Sequence, residues 1–378
     1  MTVVGVDLNA TRVRAVSGPA DGVPQTVLLD GTEPELPLAL SLEQKRPVVG
    51  RAGVALCREY PHLACHDFLA ALGSSRTWAV GRHRLDSGKA LLLVFDYLRP
   101  LLTPATGLTV VLPSYLSEAQ AAQVVGLAQK AKLPANAAVA APLAIARGAY
   151  GEEPWSGTAV LVDADDHASI WTVLQADQQQ IGIVKGGALP ELGLRIWKEC
   201  LLNAIAGWCI RHSRRDPRDS GSAEQLLFDQ LNDVLQASQD DQLVEVVIQT
   251  ATWCQNLILQ PEQVRGFCAS LVDQAVDEIG CAFGNGVTDG VAVLLVTPSA
   301  ARLPGLVPAL AETMGLRIPV RLLSADAAAR TAHQLAATRD LGSGAPRDFI
   351  ATSIPMAKTA RAASSAAGQT RSRLAFDR

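Results

Sequence analysis

The chain has 378 residues, of which 48% are hydrophobic and 19% charged, enough apolar material for a large core divided between two lobes. Its formal net charge of −4 argues against nucleic acid as a partner, because neutralising a phosphate backbone takes a surplus of clustered cations. The longest apolar runs, such as Ala90-Leu91-Leu92-Leu93-Val94-Phe95, are too short to cross a bilayer, so a soluble globular protein is expected.

From the N-terminus, Val3-Val4-Gly5-Val6 predicts a buried strand ending at Asp7, with Arg12 to Val16 and Val27 to Leu29 continuing it as a meander. Gly50 to Cys57 and Ser87 to Leu102 predict helices, the second with Asp86 or Ser87 as its N-cap. Leu108 to Leu112 predicts a strand stopped by Pro113. Ser117-Glu118-Ala119-Gln120 opens a helix whose apolar residues Val124, Leu127, Ala128 and Ala131 recur at amphipathic spacing, and Pro134 closes it. Ala138 to Ala141 predicts a short strand, and Pro142 to Ala149 a helix with proline in its first turn.

The opening pattern then repeats. Thr158 to Val162 predicts an apolar strand ending in Asp163, followed by strands at Ser169 to Leu174 and Ile181 to Val184. Two strand-to-aspartate turns, each beginning one half, are the sign of an internal duplication. Helices are predicted over Leu189 to Ile210, Ala223 to Leu235, Glu262 to Phe283 and Leu303 to Met314, with a buried strand at Val291 to Val296. From about Asp340 the chain turns to Gly, Ser, Ala and Arg without apolar periodicity, so residues 339–378 are expected to be a disordered tail.

Seven cysteines form an odd set with no short Cys-x-x-Cys pair, so reduced core thiols are expected, with Cys254, Cys268 and Cys281 on apolar helices. The cluster Arg211-His212-Ser213-Arg214-Arg215, broken by Asp216 and Pro217, is expected to be a solvated loop between helices. The N-terminus lacks the basic-then-apolar layout of a secretory signal, which points to the cytoplasm. The remaining histidines are scattered without the spacing of a Ser-His-Asp set, and the six tryptophans are expected to pack cores or lobe surfaces.

Three segments carry a family resemblance. Val49-Gly50, Tyr60-Pro61 and Leu72-Gly73 keep one spacing of landmarks without a gap, and Pro113-Ser114-Tyr115-Leu116-Ser117-Glu118-Ala119-Gln120 is followed by Leu133 and Pro142. Together with Ala300-Ala301-Arg302-Leu303-Pro304, these resemble the seventy-kilodalton heat-shock chaperone family over most of residues 1–335. In that family the corresponding segments read Pro-Ala-Tyr-Phe-Asn-Asp-Ala-Gln and Ser-Thr-Arg-Ile-Pro, the latter after an adenosine-binding Gly-Gly. The resemblance implies the family's nucleotide-binding part, an α/β actin-like ATPase fold of two lobes. Each lobe would hold a mixed β-sheet flanked by helices, and the two would face across a central cleft. Residues 1–157 would form the first lobe, and 158–338 the second, with a helical subdomain around 220–285.

The implied ligand is ATP or ADP with magnesium. Carried over position by position, Asp7, Asn9, Thr11, Asp163 and Ser299 are the implied nucleotide contacts, with Asp7 and Asp163 reaching magnesium through water. Much of the chemistry departs from the family. Its Asp-Leu-Gly-Thr-Thr loop is Asp7-Leu8-Asn9-Ala10-Thr11, its phosphate-facing lysine falls on Val54, and its glutamate associated with hydrolysis falls on Ala141. The second loop, Asp-Leu-Gly-Gly-Gly-Thr in the family, is Asp163-Ala164-Asp165-Asp166-His167-Ala168, which puts two anions where glycine amides would cradle phosphate. A carboxylate about 4 Å from a phosphate charge opposes binding by about 4 kcal/mol at an effective dielectric near 20. Thr297-Pro298-Ser299 stands in the adenosine loop, where proline adds bulk.

A metal site made of Asp165, Asp166 and His167 with Asp7 and Asp163 is one reading of the second loop, and a polar turn at the cleft rim is the simpler one. The leading functional expectation is a pseudo-ATPase, a binding or scaffolding module that engages another protein through its lobes or tail. Its rival is a slowly hydrolysing, truncated chaperone or a regulator of one. The family's peptide clamp would need about two hundred further residues, so that mode of capture is not expected. Neither nucleic acid nor membrane is expected as a partner.

Overall fold

The valine-rich strands that open each half divide their side chains between two apolar clusters by simple alternation. In the first half Val4, Val6 and Leu8 of the strand Thr2–Leu8, with Leu108, Val110 and Leu112 of Gly107–Leu112, face one core, while Val111 faces another. In the second half Val160, Val162 and Ala164 of Gly157–Ala164 face a third core, and Ala159 and Leu161 turn to the one shared with Val111. The structure is a computed structural model, and it describes residues 1–177, 179–287, 290–314, 318–338, 349 and 351–356.

The result is a mixed α/β architecture built on two six-stranded sheets that share the order of five strands, the sixth branching from the second strand in one and extending the edge in the other. In the first, Thr2–Leu8 pairs antiparallel with Arg12–Pro19 and parallel with Gly107–Leu112, which pairs parallel with Ala135–Ala140. In the second, Gly157–Ala164 pairs antiparallel with Ser169–Ala176 and parallel with Val291–Val296, which pairs parallel with Val320–Leu322. The duplication expected from the two strand-to-aspartate turns is therefore present in the strand order.

Two helices, Ala141–Glu152 and Ala327–Thr338, contribute to the core shared by both sheets. The second of them lies almost on the backbone of the first strand. A Cβ added at Gly5 would stand 2.0 Å from the Ala329 carbonyl oxygen and 2.4 Å from the His333 amide, so only glycine permits this approach. The outer face of the first sheet is covered by Ser87–Leu102, capped by Asp86 accepting from the Lys89 amide, and by Glu118–Lys130, which opens with a Ser117/Gln120 capping box. In the second half Leu194–Ser213, Gly221–Gln239 and Ala269–Val287 build the corresponding outer layer, extended by the hairpin Val244–Gln249 and Cys254–Leu259.

Several boundaries differ from expectation. The helix predicted over Gly50 to Cys57 is the single turn Arg51–Val54, entered through Gly50 at φ 97°. The predicted helix Glu262 to Phe283 is two, Pro261–Phe267 and Ala269–Val287, divided at Cys268, and Leu303 to Met314 begins later, as Leu306–Thr313 behind Gly305 in the left-handed region. Cys254 lies on an exposed strand rather than an apolar helix, and Cys281 is exposed, while Cys268 is buried. The expected strand Val27 to Leu29 is replaced by the pairing of Gln25–Thr26.

The tail needs correction too. Phe349 is buried in the first half's core, and Ser353–Pro355 adds an edge strand to Gln180–Leu189, with Ile354 buried. Residues 339–348, 350 and 357–378 of the expected disordered stretch lie outside the described residues.

Candidate functional site

Each opening hairpin ends in a tight turn, and the two turns meet between the sheets. Asn9 and Asp165 occupy the same place in them, two residues after Asp7 and Asp163. Each folds its side chain back over its own turn: Asn9 Oδ1 accepts from the Thr11 and Arg12 amides, both at 3.0 Å, and Asp165 Oδ1 accepts from the His167 amide at 2.9 Å and the Ala168 amide at 3.0 Å.

The turns then bind each other. The Ala10 amide donates to Asp165 Oδ2 at 3.0 Å, and the Asp166 amide donates to the Thr11 hydroxyl at 2.8 Å. Tyr115 adds a hydroxyl donor to Asp165 Oδ2 at 2.6 Å. Asn9 N bonds Arg12 O, Asp165 N bonds Ala168 O, and Ala164 N bonds Asp163 Oδ1, so every amide from Asn9 to Arg12 and from Ala164 to Ala168 has an acceptor inside the protein. A phosphate arriving here would find no amide free to receive it.

Asp165 is almost completely buried, at 1% exposure, and burial pushes its carboxyl above the usual range despite the Tyr115, Ala10 and Ala168 donors. Those donors also fix its geometry. Asp163 is raised to about 6, first by burial and then by Asp165 and Asp7, against hydrogen bonds from the Thr297 hydroxyl at 2.6 Å and the Ala164 amide. Burial beside Asp165 likewise lifts the Tyr115 hydroxyl well above its ordinary value.

Asp7 faces an internal cation. Arg12 Nη1 donates to Asp7 Oδ2 at 2.8 Å, its Nε lies 3.4 Å from Glu35 Oε1, and both Asp7 and Arg12 are buried. Arg12 lines two cavities. Below it, Asp7, Asn9, Ala141, Asp163, Thr297 and Pro298 surround about 30 Å³, room for a water or two. Above it, a cavity of about 520 Å³ is lined by residues including Thr11, Val54, Asp166, Lys198, Phe228 and Arg302. Ion pairs join the halves at this upper cavity, Arg58 with Glu199 and Glu224, and Arg195 with Asp67, and the Arg58 amide donates to Gln225 Oε1 at 2.7 Å.

Of the residues singled out in the sequence, Asp7, Asn9, Asp163 and Ala141 gather at the lower cavity, and Thr11 and Val54 at the upper one. Ser299 joins neither; it lies on the short helix Pro298–Ala301, and its neighbour Thr297 supplies the hydroxyl instead. The His167 ring packs against that of Tyr115, their centroids 4.7 Å apart. Among the described residues no three His, Cys, Asp or Glu side chains are placed to hold a metal. At the lower cavity nucleotide phosphates with magnesium do not fit the residues as arranged: about 30 Å³ is too small for them, the turn amides are taken, and Asp7 is paired to Arg12.

Sequence reasoning missed Arg12 and Tyr115. Arg12 sits one residue beyond the first loop's motif, and Tyr115 lies within a segment that serves only as a family landmark. Behind Arg302 lies a further pocket of about 280 Å³, lined by Ser238, Arg265, Leu303, Pro304, Val320 and Leu322 among others. Ser238 is buried there, and its Oγ has no hydrogen-bond partner among the described residues.

No protein-family model matches the chain, and no curated protein matches it. No helix among the described residues is long and apolar enough to cross a membrane.

Proposed function

We propose that this chain is a cytoplasmic pseudo-ATPase of the actin-like fold, related to the nucleotide-binding part of heat-shock chaperones and acting as a binding or scaffolding module. The observation that carries the reading is the cross-bonded pair of turns: Asp165 supplies from within the protein the anion that a phosphate would otherwise bring. Two sheets that share a five-strand order, on either side of those turns, support the fold assignment. Breaking four hydrogen bonds to a buried carboxylate, each worth about 1.5–3 kcal/mol, opposes entry of a ligand phosphate. Val54 and Ala141 stand where the family has charged groups, so neither position offers compensation.

Calorimetric titration with ATP, with and without magnesium, is expected to show no Kd tighter than about 100 μM. Low-micromolar, magnesium-dependent binding would overturn the reading. A second reading, weak binding through the base end of a nucleotide, is favoured by the pocket behind Arg302, where the Ser238 hydroxyl is unpartnered. Adenosine binding without binding of inorganic triphosphate would distinguish it.

A further inference from the structure

Many of this protein's arginines are paired with acids, including Arg12, Arg14, Arg51, Arg58, Arg195 and Arg218. At the outer end of the first half the pattern reverses. The hairpin Thr77–Val80 and His83–Asp86 presents Arg82 in its two-residue turn and Arg84 on its second strand, both exposed. His83 Nε2 lies 2.7 Å from the Gln44 carbonyl oxygen, which pins against this hairpin the loop bearing Lys45 and Arg46, also exposed. Four cations from segments almost forty residues apart in sequence are thus held on one tip. None of the four has an ion-pair partner among the described residues; the pairs nearby are Arg76 with Asp67 and Lys89 with Asp86. One exposed acid, Glu43, shares the loop.

The tip is anchored rather than loose. Arg76 stacks 4.8 Å over the Trp78 ring, and Trp78 meets Phe68 of the core edge-on at 6.4 Å. Unneutralised like charges on a fixed scaffold raise a positive local potential, here on a molecule whose total is −4. We propose that this tip docks an acidic segment of another protein, a short run of Asp and Glu lying along the hairpin. Nucleic acid fits less well. A duplex carries one charge per about 1.7 Å and would extend past a four-residue strand onto a body with more acids than bases.

The experiment measures fluorescence anisotropy of a short labelled poly-glutamate peptide with the full chain at physiological ionic strength, against poly-glutamine and short single-stranded DNA. Binding of poly-glutamate alone is expected, weakened about tenfold or more by the joint change Lys45→Glu, Arg46→Glu, Arg82→Glu and Arg84→Glu. Charge reversal at Arg211, Arg214 and Arg215, a second exposed basic cluster, is expected to leave it unchanged. No binding by the wild-type chain, equal loss from the second cluster, or tighter binding of the DNA would each overturn the proposal. Urea unfolding controls for folding; if the fourfold variant is destabilised, Lys45→Gln with Arg46→Gln must still weaken the peptide about threefold, or the proposal fails.

Discussion

The two turns use one device with two different residues. Asn9 and Asp165 each cap their own turn through Oδ1, accepting from the amides two and three residues on. Asparagine's other atom is an amide nitrogen, a donor, whereas aspartate's is a second acceptor. That second oxygen reaches the Ala10 amide and the Tyr115 hydroxyl, both in the first half. The comparison teaches that an Asp at this position joins the halves where an Asn can only shape a loop.

Removing the joint should have the largest effect. Asp165→Ala leaves the Ala10, His167 and Ala168 amides and the Tyr115 hydroxyl without their acceptor in a buried place. A loss of about 4 kcal/mol in unfolding free energy is expected from urea titration. Asp165→Asn sharpens the comparison, since it makes the second turn like the first. It keeps the cap but turns a donor toward the Ala10 amide, while the Tyr115 hydroxyl can reverse and accept, and should lose about 2 kcal/mol. If the asparagine variant matched the wild type, the Asp165 contacts to Ala10 and Tyr115 would contribute nothing, and the turns would be held by their own caps and the Thr11–Asp166 bond.

Between those two effects in size falls one from the pair of aspartates at the strand ends, which occupy equivalent places in opposite surroundings. Asp7 faces a buried guanidinium, while Asp163 faces Asp165 and Asp7. Asp7→Asn strips Arg12 of its close partner, leaving Glu35 at 3.4 Å, and should destabilise by about 3 kcal/mol in the same assay. An unchanged unfolding midpoint would mean that Glu35 suffices to hold the arginine.

Legibility in the sequence follows the same division. The opening strands were readable because their valines run unbroken to an aspartate, and the duplication because that pattern recurs at Thr158 to Asp163. The family resemblance, rather than the duplication alone, is what implies that Asp7 and Asp163 share one site. What Asp165 binds could not be read, because its partners Ala10 and Tyr115 are 155 and 50 residues away and neither is a residue type that advertises a site. The strand Ser353–Pro355 was unreadable for another reason: three residues give no periodicity, and it is specified by the edge it joins. The hairpin Thr77–Val80 and His83–Asp86 was missed likewise, with strands of four residues.

The smallest effect is also the one of opposite sign. Asp163 has its folded pKa raised to about 6 from an ordinary 3.8, so the folded state binds its proton more tightly than the unfolded chain does. Stability from this group is therefore fully present below 3.8 and is lost as pH rises through 6. A shift of that size corresponds to about 3 kcal/mol if the site were wholly dry, and Asp163 is partly accessible, so a value of about 1–2 kcal/mol is the better expectation. Asp163→Asn keeps an oxygen for the Thr297 hydroxyl and the Ala164 amide and removes the charge that Asp7 and Asp165 oppose. At pH 7.5 the variant should be the more stable by that amount, and at pH 4 the two proteins should nearly coincide. Because the other carboxylates titrate in both, the difference between the proteins isolates Asp163, provided that the change leaves its neighbours' titration alone. A variant less stable at pH 7.5 by a margin that does not change with acid would show that the carboxylate's hydrogen bonds outweigh its repulsion. The two halves would then hold their strand-end aspartates on equal terms.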